Sequence, residues 1–359
     1  MPLPIFNSER RKLDQVISID LGSRSTKAVH VQRKGDAYTL FRHAIMDAPL
    51  FEKVLSVDML TEHLKAVHQS FETKLKAISI SVGANDSILR QADMPMIPVE
   101  DMRQVLKNSP KTYLQQDLTG YLFDCWILSP ARKQSPVAVD PTKAVVQQKH
   151  RVLVGGARRQ LVDDLTKAAK AAGLVVDQII PGLVGPINAF EIAMPDSFAK
   201  EAVALVDIGF KNTSIGLVFG GELLVHRVVG IGGEKLTAGL AEAMGISFAE
   251  AESLKLGMPG EVQMHLEPLL SSLARELRAS IDFFEHQQDK TISRVYVSGG
   301  SARADFVVKG LESDMMAACC SWNPGATMQL SLPPTQAAEF EAVSPQLAVA
   351  IGGAVSTLS

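Results

Sequence analysis

The sequence predicts an α/β chain built from two duplicated lobes, and three observations predict it. Residues 20–26 read DLGSRST directly after the apolar run 16–19, and residues 207–213 read DIGFKNT after the apolar run 203–206. Each copy carries Asp, Gly two places on, a base four places on and Thr six places on. Around each copy the chain alternates as short strands before a helix-rich stretch, so one plan is written twice at a period too long for a solenoid. A third glycine turn, Gly299-Gly300-Ser301, follows the apolar run 295–297 and reads as strand, turn and helix.

In the first half, strands are predicted at 16–19, 27–31 and 38–43, with the turn RKGD joining the last two. A helix at 57–70 and a buried strand at 76–83, ending in Gly83, follow. The stretch 86–150 differs in character. It opens as a loop and then a helix with Pro98 near its start and Glu100 and Asp101 in the first turn, where carboxylates meet the positive end of the helix dipole. A strand at 120–128 leads into 129–150, where Pro130, Pro136 and Pro141 among lysines predict a long solvent-exposed connection. Then come a strand at 151–156, a helix at about 157–172 closed by Gly173, and a strand at 174–180.

The second half repeats the plan with strands at 202–206, 213–219 and 223–229, the last two joined by Gly220-Gly221. Ser247 and Glu250 form a capping box, and an amphipathic helix is predicted at about 261–288. A loosely structured region holding Trp322, Pro324, Pro333 and Pro334 precedes a last helix at 346–355.

Composition narrows the classes of function. A chain of 359 residues with 46% hydrophobic and 21% charged residues can bury the core of two domain-scale units. The balance of 36 basic and 39 acidic residues leaves a net charge of −3, which gives no field for nucleic acid, and 6% aromatics offer few stacking platforms. Cys125, Cys319 and Cys320 have neither zinc spacing nor the even number of a disulfide framework, and read as small buried residues in a reducing compartment. The first fifteen residues lack the pattern of a signal peptide, and no run approaches the ~18 apolar residues of a membrane span. The expectation is a cytoplasmic protein, peripheral to a membrane through a partner at most. The segment PLPIF (2–6) reads as a frayed terminus, with docking on a partner as the alternative.

The glycine turns carry the chemistry. A glycine turn after a strand exposes backbone N–H groups that suit phosphate oxygens, and two such turns on facing lobes could clamp a polyphosphate. Asp20 and Asp207 would repel it unless a cation intervened, and Mg²⁺ needs one or two nearby carboxylates. Ser23, Ser25 and Lys27 on the first turn and Thr213 on the second add donors. A single such turn is an ordinary structural feature, because Asp and Gly are good turn formers; the duplication makes the signal. Glu252 and Lys255 share a helix face and could bracket a ribose or form a solvated ion pair. Gly299, Gly300 and Ser301 could approach a purine or simply turn the chain. There is no G-x-x-x-x-G-K-[ST] loop, G-x-S-x-G elbow or H-E-x-x-H pair, and His226 and His265 read as core or surface residues.

In order, ISIDLGSRSTKAV, ALVDIGFKNTSIGLV and RVYVSGGSARADF resemble the two phosphate motifs and the adenosine motif of the actin/Hsp70/sugar-kinase ATPase superfamily. PGLVGPINAF (181–190) and PQLAVAIGGAV (345–355) are similar to its two connecting helices, whose small residues Gly185, Ala189, Ala350, Gly352 and Gly353 would allow a close crossing. Within it the sequence resembles the type IV pilus assembly family PilM, a relative of the division protein FtsA. The residues that carry this are SILRQADMPMIPVEDMRQVLKNSPKTYL (87–114), KAAGLVVDQIIPGL (170–183) and GIGGEKLTAGLAEAMGISFAEAESLKLG (230–257). Four residues follow Val355, which leaves no room in this sequence for the amphipathic membrane helix that ends FtsA.

The resemblance implies an actin-like ATPase fold around an interlobe nucleotide cleft. Its subdomains would be 1A at 1–85, an inserted 1C at 86–177, a connecting helix of 1A at 178–200, 2A at 201–234, 2B at 235–290, 2A again at 291–338, and the second connecting helix at 339–359. It implies ATP with Mg²⁺, the metal held through water by Asp20 and Asp207. Gly22, Ser23, Ser25 and Lys27 would contact phosphates from one lobe, and Gly209, Lys211 and Thr213 from the other. Gly232 and Gly233 would lie near phosphate and ribose, Glu252 and Lys255 at the ribose, and Gly299, Gly300 and Ser301 against adenine. The implied partner is the cytoplasmic N-terminal peptide of a PilN-like inner-membrane protein, with self-association into a ring possible and no nucleic acid.

One departure bears on activity. The superfamily's second turn offers small residues after its first glycine, whereas Phe210, Lys211 and Asn212 stand here, and no residue near Asn188 is suited to position water. The expectation is nucleotide binding with slow or no hydrolysis. Alternatives are a small-molecule kinase of the same superfamily, which lacks a clear carboxylate base in the sequence, an FtsA-like cytoskeletal protein, and a structural protein that has lost nucleotide.

Overall fold

The computed structural model describes residues 13–49, 55–130, 149–257 and 259–359. The segment 2–6 and most of the expected connection at 129–150 lie outside the described residues. In chain order the first lobe begins with strands β1 (Gln15–Leu21), β2 (Ser25–Lys34) and β3 (Ala37–Asp47), helix α1 (Val57–Gln69) and strand β4 (Ala77–Val82). Next come β5 (Ser87–Pro95), α2 (Val99–Asn108), α3 (Pro110–Leu114), β6 (Tyr121–Pro130), β7 (Lys149–Arg158), α4 (Arg159–Ala171), β8 (Val175–Pro181), α5 (Gly185–Ala193) and α6 (Pro195–Lys200). The second lobe runs β9 (Val203–Ile208), β10 (Thr213–Phe219), β11 (Glu222–Val229), α7 (Gly233–Met244), α8 (Phe248–Gly257), α9 (Pro259–Gln288), β12 (Arg294–Ser298) and α10 (Asp305–Met315). Strands β13 (Cys319–Ser321) and β14 (Gln329–Leu330) and helices α11 (Pro334–Val343) and α12 (Ala348–Leu358) complete it.

The duplication is visible in the hydrogen bonding. One sheet has the order β14-β3-β2-β1-β4-β8 and the other β11-β10-β9-β12-β13. In each, the strand that ends in the aspartate pairs antiparallel with the next strand and parallel with a later one. Each sheet also has a bulge ten residues beyond its aspartate, at His30/Val31 and at Leu217/Val218. A bulge bends and twists its strand, so both sheets curl at the same place. A third sheet, β5-β7-β6, stands outside this repeated plan. It packs Met94, Val152 and Val154 against Met102 and Leu106 of α2.

Strand alternation sorts the layers. Ile17 and Ile19 of β1 pack with Leu60 and Leu64 of α1 and Leu165 of α4. The opposite face carries Val16, which joins Phe190 of α5, Val203 and Leu205 of β9, and Ala350 and Ile351 of α12 in one cluster. On the far side of the second sheet, Val206 and Ile215 meet Leu236, Leu266, Leu270, Leu273 and Leu277, the last four spaced along one face of α9. The result is helices, sheet, a two-helix layer, sheet, helices.

Helices α5 and α12 cross closely enough to exclude a side chain. A Cβ on Gly352 would lie 1.8 Å from the Gly185 carbonyl oxygen, and one on Gly185 would lie 2.6 Å from the Val349 Cα. A Cβ on Gly353 would meet the Ser18 hydroxyl at 2.6 Å. All eleven residues of α12 are buried.

Some expectations are corrected. The region after Met315 is not loosely structured: it contributes β13 at one sheet's edge, β14 at the other's, and α11, which starts on Pro334. Proline at the first helical position starts a helix, so Pro333-Pro334 marks a beginning and not a loop. Trp322 is buried edge-on against Phe190, with ring centroids 5.3 Å apart. The last helix begins at Ala348 after a short 3₁₀ turn over Ser344–Leu347. The Ser247–Glu250 capping box forms as read, with the Glu250 N–H donating to Ser247 Oγ and the Ser247 N–H to Glu250 Oε2.

Gly352→Ala is expected to destabilise the protein by about 1–3 kcal/mol in urea unfolding, because overpacking outweighs the gain in helix propensity. Gly260→Ala in α9, where nothing lies within 4 Å of an added Cβ, is the control and should be neutral or slightly stabilising.

Candidate functional site

The two acidic turns meet across a cleft of about 810 Å³. That falls within the ~300–1,000 Å³ of small-molecule sites. Asp20, Gly22, Ser23, Ser25 and Lys27 line it from the first lobe, and Asp207, Gly209, Lys211 and Gly233 from the second. Glu252, Lys255, Gly300 and Ser301 complete the predicted residues on its walls. Both aspartates sit at strand ends, where the pairing of β1 with β2 sets Asp20 opposite Lys27 and that of β9 with β10 sets Asp207 opposite Ser214.

Three predicted residues stand behind the cleft. Thr213 is fully buried and its hydroxyl donates to the Ile231 carbonyl at 2.6 Å, so it is already used. Its counterpart Thr26 is likewise buried, with its hydroxyl 2.7 Å from His63 Nε2. Thr26 still touches the cleft, whereas Thr213 braces its turn from the rear. A Cβ on Gly232 would strike the Phe210 carbonyl oxygen at 2.5 Å, and one on Gly299 the Ile208 carbonyl oxygen at 2.4 Å. Gly299 also has φ +92°, a left-handed conformation that favours glycine. These two glycines allow backbone to press against the second turn, and do not line the cleft.

The electrostatics of the floor are unusual. Asp20 is 7% exposed, and Lys27 Nζ lies 3.5 Å from its Oδ2. Burial holds the Asp20 carboxyl above its usual range despite that lysine. Asp207 accepts a hydrogen bond from Ser298 Oγ at 2.9 Å. Its pKa is nevertheless pushed up to about 6, first by burial and then by the charge of Asp20. Two carboxylates held above their ordinary range, with one ammonium beside Asp20, lack positive charge. Among the described residues no third His, Cys, Asp or Glu joins them to enclose a metal. A hydrated Mg²⁺ carrying most of its own waters fits that donor set. The phosphate side fits as well: Gly22 leaves its face open where a Cβ would meet the Ser25 carbonyl oxygen at 2.6 Å and Lys27 Nζ at 2.9 Å.

Glu252 and Lys255 are not a solvated pair. Lys255 is 6% exposed and donates to Thr237 Oγ1 at 2.6 Å and to Glu252 Oε2 at 2.7 Å. Burial lowers the lysine's pKa. Burial works to raise Glu252, but hydrogen bonds from Lys255 and Thr237 and the charges of Lys255 and Arg24 hold it below its usual value. The wall is thus a fixed polar ledge.

Sequence reading missed several lining residues. Asp47 and Asp86 are carboxylates on the cleft wall, though Asp86 is paired with Arg158 at 3.4 Å. Arg24 and Asn85 also face it, and Arg24 occupies the place in the first turn that Lys211 holds in the second. That internal correspondence was the signal available for Arg24. Asn188 and His226 lie away from the cleft lining; burial and Arg90 push the His226 ring down to about 4.

Two sheets of one plan, a two-helix layer between them and an interlobe cleft floored by paired aspartates define the actin-like ATPase fold. The chain belongs to the family of the type IV pilus assembly protein PilM, whose family model matches residues 18–358. It is similar to the solved structure of a PilM–PilN type IV pilus biogenesis complex, with TM-score 0.80 and 21% identity over 97% of this chain and 100% of that one. It is also similar to the ethanolamine utilization protein EutJ from Carboxydothermus hydrogenoformans, with TM-score 0.56 and 15% identity over 99% of this chain and 92% of that one. The cell division protein FtsA of Bacillus subtilis (strain 168) is 23% identical over 261 residues, which cover 67% of this chain and 57% of FtsA. The match thus spans little more than half of FtsA's length.

The raised Asp207 fixes the sign of a pH effect. Its folded pKa of about 6 exceeds the ordinary 3.8, so in metal-free buffer the folded state keeps a proton that the unfolded state releases. Stability therefore falls as pH rises from about 4 to 6, by on the order of 2 kcal/mol. Asp207→Asn should remove that slope: its advantage over the parent in thermal unfolding is near zero at pH 4 and largest at pH 7.

Proposed function

We propose that this chain is a nucleotide-binding scaffold of the type IV pilus assembly platform, taking ATP with Mg²⁺ in the cleft and a PilN-like peptide elsewhere. The observation that carries the first part is the pairing of buried Asp20 with half-buried Asp207 on facing glycine turns, both carboxyls held above their ordinary range, which leaves the floor of the cleft short of positive charge. Mg²⁺, when bound, would supply that charge. Asp20 and Asp207 would hold it through water. Gly22, Ser23, Ser25 and Lys27 would face the phosphates from one lobe, Gly209 and Lys211 from the other. Gly233, Glu252 and Lys255 would border the ribose, and Gly300 and Ser301 the base.

Family membership supports the second part, together with the likeness to a PilM–PilN complex. A nucleotide that touches both lobes would fix the angle between them, and with it the shape of any groove that takes a peptide. Among the described residues no helix is long and apolar enough to cross a membrane. A cytoplasmic place, peripheral to the inner membrane through that partner, follows from this reading, and assembly into a ring is compatible with it. The subdomain boundaries given under the resemblance belong to the same proposal. Slow or absent hydrolysis is supported by Phe210 on the cleft wall and by the distance of Asn188 from its lining. The kinase alternative would rest on Asp47, an exposed carboxylate on that wall.

Calorimetric titration should show MgATP uptake by the parent, and Asp20→Asn with Asp207→Asn should lower the affinity at least tenfold. A cytoplasmic N-terminal peptide of the neighbouring PilN-like protein should be retained by the parent. Steady-state ATP turnover should stay low with or without sugars. No uptake by the parent, or fast phosphorylation of a sugar, would overturn the reading.

A further inference from the structure

Arg24 and Phe210 sit on opposite turns, and neither is used by the nucleotide contacts described above. The Arg24 guanidinium carbon lies 5.3 Å from the centre of the Phe210 ring. Its Nε is 3.9 Å from Glu252 Oε1, and its side chain remains 48% exposed. Phe210 in turn stands edge-on to Phe248 of α8, with centroids 6.4 Å apart. Beside them Asn212 Nδ2 donates to Asn85 Oδ1 at 3.0 Å, a second bond from lobe to lobe. The Arg24–Phe210 contact bridges the two turns, and the Asn212–Asn85 bond joins the lobes beside it.

We propose that Arg24 is a phosphate-responsive clasp: it spans the cleft to Phe210 and Glu252 when no polyanion is present, and leaves them for the phosphates when one binds. The proposal rests on the nucleotide reading for its second half, and on geometry alone for its first. Three features suit an exchange of partners. Arg24 is half exposed, and an ion pair stretched to 3.9 Å with one partner half in solvent is weak. Glu252 does not depend on it, because Lys255 and Thr237 already bond the Glu252 carboxylate. Phe210 offers the guanidinium a face and no hydrogen bond, whereas a phosphate offers charge-assisted, bidentate bonds. The guanidinium therefore has a resting place that holds the lobes together and a stronger partner within the same cleft.

This assigns Phe210 a role opposite to that of a binding residue. It competes with the ligand for Arg24, so removing its ring should help binding while removing Arg24 should hurt it. The full chain is used, with hydrogen exchange on the nucleotide-free protein and titrations with MgATP and with tripolyphosphate. Arg24→Ala should speed exchange of the backbone of residues 207–213, on the other lobe, several-fold. It should weaken binding of both ligands about tenfold, while Phe210→Leu tightens them two- to fivefold. Equal melting temperatures would show that both variants fold, and Phe210→Met replaces Phe210→Leu if that variant does not. Unchanged exchange at 207–213 in Arg24→Ala overturns the clasp. Shifts of affinity in the same direction for both variants overturn the partner exchange. If the parent takes up neither MgATP nor tripolyphosphate, the release step and the nucleotide reading both fall, while the exchange result still decides the clasp.

Discussion

The site depends on how closely two helices cross. At Gly185 and Gly352 the backbones of α5 and α12 touch, with no room for one Cβ between them. Both sheets pack onto this pair, the first through Val16 and the second through Val203 and Leu205. The crossing therefore sets the separation of the sheets, and the sheets carry the acidic turns at the ends of β1 and β9. A wider crossing would part Asp20 from Asp207 and dissolve the electrostatic coupling between them. Small residues at a buried crossing cost core volume, and here that cost is returned as the placement of two carboxylates.

The cleft is assembled so that its parts oppose one another. Asp20 and Asp207 crowd negative charge at the floor, Lys27 answers part of it, and the Glu252–Lys255–Thr237 ledge is neutral within itself. What remains is a demand for a cation below and room for anions above. The threonines that complete the repeated motif serve the scaffold, since both spend their hydroxyls on protein partners, His63 and the Ile231 carbonyl. The motif thus encodes a turn that is held still, which is what a preorganised phosphate site needs.

Much of this architecture is legible in the sequence because it rests on local rules. Apolar runs ending in Asp-x-Gly mark strand ends, the glycine turns mark hairpins, and the capping box at Ser247 marks a helix start. The repeat also showed that two lobes share one plan. What stayed hidden depends on distant partners. Strands β13 and β14 are three and two residues long, and they are strands because β12 and β3 offer edges to pair with. Thr213 reads as a phosphate donor in its motif, yet the Ile231 carbonyl, far along the chain, claims its hydroxyl. Gly232 and Gly299 read as ligand contacts, whereas their freedom is used by the backbone of the second turn. Asp47, Asn85 and the meeting of Arg24 with Phe210 came from folding alone, although the place of Arg24 in the repeat pointed to it.

The central claim is that the paired aspartates and the nucleotide share one divalent cation. The most direct test is to titrate the purified chain with ATP in excess Mg²⁺ and again in EDTA. The account predicts tight uptake with the metal and at least tenfold weaker uptake without it. Equal affinity in the two buffers, or no uptake in Mg²⁺, would contradict it.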